Sequence, residues 1–257
     1  MIRKFLPFAL SFFLIILVPF PLAAWQPEAG DTTATKIKLN VGADIVSRYL
    51  WRGTDFGNSP AIQPTLSLSV GNLEFGTWGS MATNISFREI DLFVKYSYKN
   101  LSLIFTDYYI PILNGLPASP DTRFFTYNDE KTAHSLEASV LWRGNESFPL
   151  WVLGGVFFYG NDKRWGVDPH RDNNEETYYS TYLEAGYTLK IKENNVDVFT
   201  AFTPFAGAYG GHAGFVNVGI TGYRKIKITD ALELPIKASL MFNPLTSNAF
   251  FVLGITI

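Results

Sequence analysis

The chain contains no cysteine, which excludes a disulfide framework and an acylated lipoprotein anchor. Histidine is nearly as scarce: three residues in 257, which leaves imidazole chemistry few places to start. Charge is thin and balanced, at 17% Asp, Glu, Lys and Arg with a formal net charge of -2, so no basic surface for nucleic acid is expected. Beyond the first segment no run of about 18 uninterrupted apolar residues occurs, the length a membrane helix requires. The mature chain is therefore either soluble or crosses a membrane as strands.

What the chain has in abundance is aromatic residues. Phe, Tyr and Trp make up 16% of it, and 21 glycines accompany them, a pairing that suggests membrane-facing strands. At the start, Arg3 and Lys4 precede an apolar run from Phe5 to Val18, followed by Pro19, Pro21 and the small pair Ala23-Ala24. This reads as a secretory signal peptide over residues 1–24, followed by a short periplasmic segment (25–35) and a barrel (36–257).

Period-two alternation predicts twelve strands of the length a tilted strand needs to cross hydrocarbon. Their spans are Lys36–Leu50, Ala61–Val70, Leu73–Ala82, Glu89–Tyr98, Leu101–Ile110, Thr132–Trp142, Leu150–Tyr159, Tyr178–Ile191, Val196–Pro204, Gly214–Ile228, Ala231–Phe242 and Ala249–Ile257. The links between them alternate. Short ones such as Gly71-Asn72, Lys99-Asn100 and Thr229-Asp230 fall between long ones such as Trp51–Pro60, Pro111–Lys131 and Gly160–Thr177. Loops at one end, tight turns and both termini at the other, and an even strand count are the pattern of a closed antiparallel transmembrane β-barrel.

Successive side chains on a strand point oppositely, so the alternation also assigns faces. Ile62, Leu66, Leu68 and Val70 oppose Gln63, Thr65, Ser67 and Ser69; Leu232 to Phe242 alternate with Glu233, Lys237 and Ser239. The polar face cannot meet lipid and is assigned to the lumen. Tyr49, Trp51, Tyr108, Tyr109 and Phe158 are expected in an aromatic girdle at the long-loop end, and Tyr96, Tyr98, Trp142 and Tyr223 in one at the short-turn end. The last strand, with Phe251, Leu253, Ile255 and Ile257 alternating, resembles the C-terminal signal read by the outer-membrane assembly machinery, although Ile257 stands where Phe is commonest.

The segment "ADIVSRYLWRG" (Ala43 to Gly53), with "PAIQPTLSLSV" and "LEFGTWGS" after it, resembles the TorF-type (Gcw_chp) family of proposed bacterial outer-membrane porins. That resemblance implies a barrel in the outer membrane of a Gram-negative cell and a porin role. It supplies no established substrate and no catalytic residue.

Asp44, Arg48, Arg52, Glu74, Asp91, Lys95, Glu137, Glu184, Glu233 and Lys237 fall on positions expected to line the lumen. Mixed charges there either form a polarised constriction for ions and small solutes or pair with one another across the barrel; for Asp44 and Arg48 pairing is favoured. The Pro111–Lys131 loop is long enough to fold inward or to order on the surface. A lipid-hydrolysing barrel is disfavoured, because His134 and its neighbour Ser135 must face opposite ways and His170 and His212 lie in loops. The charged loop Gly160–Thr177 matches no calcium motif, and "GAYGGHAG" (Gly207–Gly214) opens no helix, so no metal, cofactor or phosphate is expected. The expected function is passive passage of ions or small solutes through a porin, with outer-membrane lipid, lipopolysaccharide and the assembly machinery as partners. The alternatives are a ligand-binding or structural barrel without an open pore and, less favoured, a lipid-modifying enzyme. The tetrapeptide Leu-Trp-Arg-Gly occurs twice, at Leu50–Gly53 and Leu141–Gly144, and both copies read as exits from lipid.

Overall fold

The computed structural model describes residues 37–163, 177–230 and 232–257. The expected signal peptide and periplasmic segment lie outside the described residues, as do residues 164–176 of the charged loop and position 231. Fifteen strands are described: β1 (Ile37–Val46), β2 (Tyr49–Trp51), β3 (Thr54–Phe56), β4 (Ala61–Val70), β5 (Leu73–Ala82), β6 (Arg88–Tyr98), β7 (Leu101–Leu113), β8 (Leu116–Pro117), β9 (His134–Asn145), β10 (Phe148–Gly160), β11 (Thr181–Ile191), β12 (Asn194–Thr203), β13 (Gly214–Lys227), β14 (Glu233–Asn243) and β15 (Asn248–Thr256).

Twelve of them close into an antiparallel barrel in the order β1-β4-β5-β6-β7-β9-β10-β11-β12-β13-β14-β15. The seam between β15 and β1 is sealed by reciprocal Ala43–Ile257 backbone bonds of 2.9 Å each. Closure gives each of the twelve wall strands a partner on both sides, which suits an alternating sheet with one largely apolar face. Short β8 pairs with the end of β7, and β2–β3 form a separate hairpin.

The alternation does sort the residues. Every barrel strand contributes an exposed apolar side chain to the outer face: Val41, Leu66, Phe75, Leu92, Leu103, Val140, Val152, Leu183, Val198, Ile220, Leu240 and Leu253. Their neighbours in sequence turn inward. Gln63, Ser67, Ser80, Thr221 and Ser239 are all buried, and Thr221 and Ser239 hydrogen-bond across β13 and β14 at 2.9 Å. The long connections gather at one end and the tight turns at the other; Gly71 (φ 59) and Lys99 (φ 53) take the left-handed positions of two of those turns.

Two expectations need correction. The first strand ends at Val46 rather than Leu50, and the chain then doubles back into the barrel as the β2–β3 hairpin. Tyr49 and Trp51, expected in an outer girdle, belong to the interior packing, and Tyr108 turns inward with them. So the first Leu-Trp-Arg-Gly is not an exit from the barrel wall. The second copy is part of β9, with Trp142 on the outer face.

Of the two courses left open for the Pro111–Lys131 segment, most of it takes the second and orders on the surface. β7 extends to Leu113, Asn114 and Ala118 line the cavity at the long-loop end, and the later part of the segment, around Phe124 and Tyr127, caps the outer side of the wall. Register puts Asp107, Tyr109 and His134 on that outer side, because their neighbours Tyr108 and Ser135 face in. The segment closes over them. His134 bonds Asp107 through Nδ1 at 2.8 Å and the Phe124 carbonyl through Nε2 at 2.6 Å, stacks on Tyr127 at 4.1 Å and is fully buried. Farther out, Arg123 and Thr126 hold the Asp121 carboxyl well below the usual carboxylate range.

Candidate functional site

The site is built by the hairpin. Two apolar clusters fill the long-loop half of the interior, one around Val46, Tyr49 and Phe87, the other around Tyr108, Phe157, Tyr182 and Val216; Trp51 packs against both. Tyr49 stacks between Trp78 and Phe56 at 5.3 and 5.4 Å. Such tilted aromatic pairs add to the area they bury and fix the hairpin's angle.

At the tip stands Arg52. Its guanidinium forms a two-pronged pair with Glu137 on β9, with Nη2 to Oε1 at 2.8 Å, and Nη1 also donates to the Tyr209 hydroxyl. The rings of Trp51 and Tyr182 lie 4.5 Å from its central carbon. The Glu137 side chain is 1% exposed and that of Arg52 9%. In the closed ring β9 lies five strands from β1 in one direction and seven in the other, nearly opposite, so this pair spans the bore. Gly155 makes room for it: a Cβ there would sit 2.7 Å from Glu137 Oε1. Gly53 follows at φ +80, where a side chain is strained, and a Cβ would meet the Val216 carbonyl oxygen at 1.8 Å. Its own carbonyl accepts a bond of 3.1 Å from Asn243.

The remaining expected lumen charges behave differently. Asp44 pairs with Lys237 at 2.7 Å and Glu74 with Lys95 at 2.7 Å. Both pairs lie along the wall below the hairpin, joining adjacent or next-but-one strands. Glu184 accepts from the Tyr182 hydroxyl and lies 3.4 Å from Asn217. Glu233 sits exposed at the short-turn end, 3.9 Å from Lys225. Arg48 does not meet Asp44: it lies beyond the end of β1 and pairs with Asp55 of the hairpin at 2.7 Å. Asp91 is buried beside Glu89 with no lysine, arginine or histidine within pairing distance among the described residues.

Above the hairpin, at the long-loop end, opens a vestibule of about 690 Å³ lined by Trp51, Phe56, Tyr108, Phe157 and Tyr209 together with Asp55, Glu89 and Asp162. Burial raises the Asp162 carboxyl, and the Ser180 hydroxyl and amide bring it part of the way back. Sequence reading missed Glu89, Asp55, Tyr182 and Tyr209 as parts of this arrangement. Tyr209 had a signal, a single large side chain within "GAYGGHAG", where Gly207 and Gly210 pair in a tight bridge that drops the ring onto Arg52. His212 stays exposed in the same loop, and His170 lies outside the described residues.

No protein-family model matches this chain, and a search of curated proteins found no match. The functional reading therefore rests on the residues themselves.

Proposed function

We propose that this chain is an outer-membrane barrel that admits small solutes through a lumen closed at rest by its own hairpin. The belt of exposed apolar side chains on all twelve strands supports a hydrocarbon environment, since so large an apolar surface is unfavourable in water. The resemblance of Ala43–Gly53 to outer-membrane porins points the same way. What carries the gated reading is the Arg52–Glu137 pair across the bore, a removable contact of the connecting segment and not of the wall. Below it the lumen is lined by Asp44, Lys237, Glu74 and Lys95, wall-hugging charges suited to passing hydrated solutes.

Conductance in a planar bilayer tests this. Wild-type protein should open rarely or in small steps, whereas excising Tyr49–Phe56 and rejoining the ends with a short glycine-serine linker should give steady openings. Heat-dependent gel migration establishes that the excised barrel is folded. A folded excised barrel no more conductive than wild type would remove the hairpin as gate, and silence from both would favour a ligand-binding barrel without a pore.

The membrane face has its own test. Leu66→Arg, on the outer belt, should destabilise the barrel in lipid by about 2–4 kcal/mol, while Ser69→Arg, turned inward beside Glu74, should be much milder. Equal losses, measured by urea unfolding in vesicles, would contradict a lipid-facing belt.

A further inference from the structure

The hairpin leaves a charge imbalance in the vestibule. Among the charged groups that face it, Asp55 is matched by Arg48, Lys163 by Asp129 at 3.1 Å, and Arg52 beneath the floor by Glu137. Both oxygens of Asp162 are occupied by Ser180. Among the described residues Glu89 has no cation beside it; its side-chain partners are the Tyr49 hydroxyl and the Asp91 carboxyl. It lines the cavity, is only 5% exposed, and its Oε2 has no hydrogen-bond partner; Asp91, two residues along the same inward face, is buried with Oδ1 likewise unpartnered. One oxygen of Asp55, also on the cavity wall, is unpartnered too. Buried carboxylate oxygens are normally satisfied, and leaving them bare is unfavourable.

The cavity that Glu89 and Asp55 line is also walled by aromatic side chains: Trp51, Phe56, Tyr108 and Phe157. A metal ion would need several oxygen ligands converging, and no group of three or more such side chains is arranged to hold one among the described residues. Carboxylates set in aromatic walls suit a different guest, because ring faces attract a poorly hydrated cation and the carboxylate takes its N–H donors.

We infer that the vestibule is a binding site for a small organic cation, a protonated amine on an apolar or aromatic body, with its ammonium group on Glu89 and Asp55 and its body against Trp51 and Tyr108. The cavity volume is in the range of small-molecule sites. Binding here does not depend on the barrel conducting.

Isothermal titration of the full-length protein in detergent, corrected for empty micelles, provides the test, with benzylammonium as probe and benzyl alcohol and benzoate as its neutral and anionic counterparts. Benzylammonium should bind at least about tenfold more tightly than either counterpart, and Glu89→Gln should lose about that factor. Asp55→Asn should weaken binding less, because Arg48 already occupies that carboxylate. Glu184→Gln, below the hairpin, should leave affinity unchanged and serves as a second folded control beside gel migration. Equal binding of the three probes, no binding of any, or full affinity in folded Glu89→Gln would each overturn the assignment. The last would mean that Glu89 and Asp91 share a proton and present no charge. Because these readouts are affinities, the site could fail while the gate stands, and the reverse.

Discussion

Replacing Glu137 with alanine should destabilise the folded barrel by about 3–5 kcal/mol, the largest loss expected from any single side chain here. The substitution does more than delete a contact. It leaves the Arg52 guanidinium, 9% exposed, inside a packed aromatic layer where, among the described residues, only the Tyr209 hydroxyl still accepts from it. An uncompensated charge in such a place outweighs whatever the pair contributed, because the price of desolvation remains after the partner is gone. Two companion variants separate these effects. Glu137→Gln keeps an acceptor and the shape, so it should lose less. Arg52→Leu combined with Glu137→Leu removes both charges, and should recover most of the stability lost in Glu137→Ala. Urea unfolding in vesicles measures all three; if the double variant were as unstable as Glu137→Ala, the loss would lie in packing and not in charge.

Gly53→Ala should unseat the hairpin. The added methyl must occupy space 1.8 Å from the Val216 carbonyl oxygen, and the residue must hold φ +80 as well, a combination no side-chain rotation relieves. The left-handed conformation alone costs an alanine on the order of 1 kcal/mol or more, and the clash with β13 backbone adds to it. The barrel wall has no need to follow, because none of its ladder hydrogen bonds pass through Gly53. Trypsin reports the outcome directly. The Arg52 bond is sheltered when the hairpin is seated and should be cut in Gly53→Ala while the strands stay intact. Wild-type resistance in folded Gly53→Ala protein would show that the tip accommodates a methyl group and stays seated.

The wall was legible from sequence for a plain physical reason. Each strand must present one face to one environment, so alternation is enforced residue by residue: Ala61–Val70 and Leu73–Ala82 were read with the bounds the structure has. Strand ends were also readable where a turn residue such as Gly71 stood between them. The hairpin was not. "SRYLWRGTDF" continues the polar-apolar alternation of β1, and nothing local distinguishes a strand that runs on from one that folds back. What decides it is the match of Arg52 to Glu137, 85 positions away, and to Tyr209, 157 positions away. Arg48 illustrates the same limit: its parity was right for Asp44, but once the chain turns after Val46 the nearer carboxylate is Asp55. The outer placement of Phe124 and Tyr127 was likewise hidden, since it depends on where Asp107 offers a partner to His134.

The same long separations bear on the order of assembly. β2–β3 is made early in the chain, yet the contacts that seat its tip come from β9, β11, β13, β14 and the loop before β13. Contacts this remote in sequence form late, after the loop-closure entropy of the intervening strands has been overcome. The hairpin must therefore wait, unpacked, while the sheet curls around it, and the seating of Arg52 marks the moment at which the first strands and the middle ones have come to face each other.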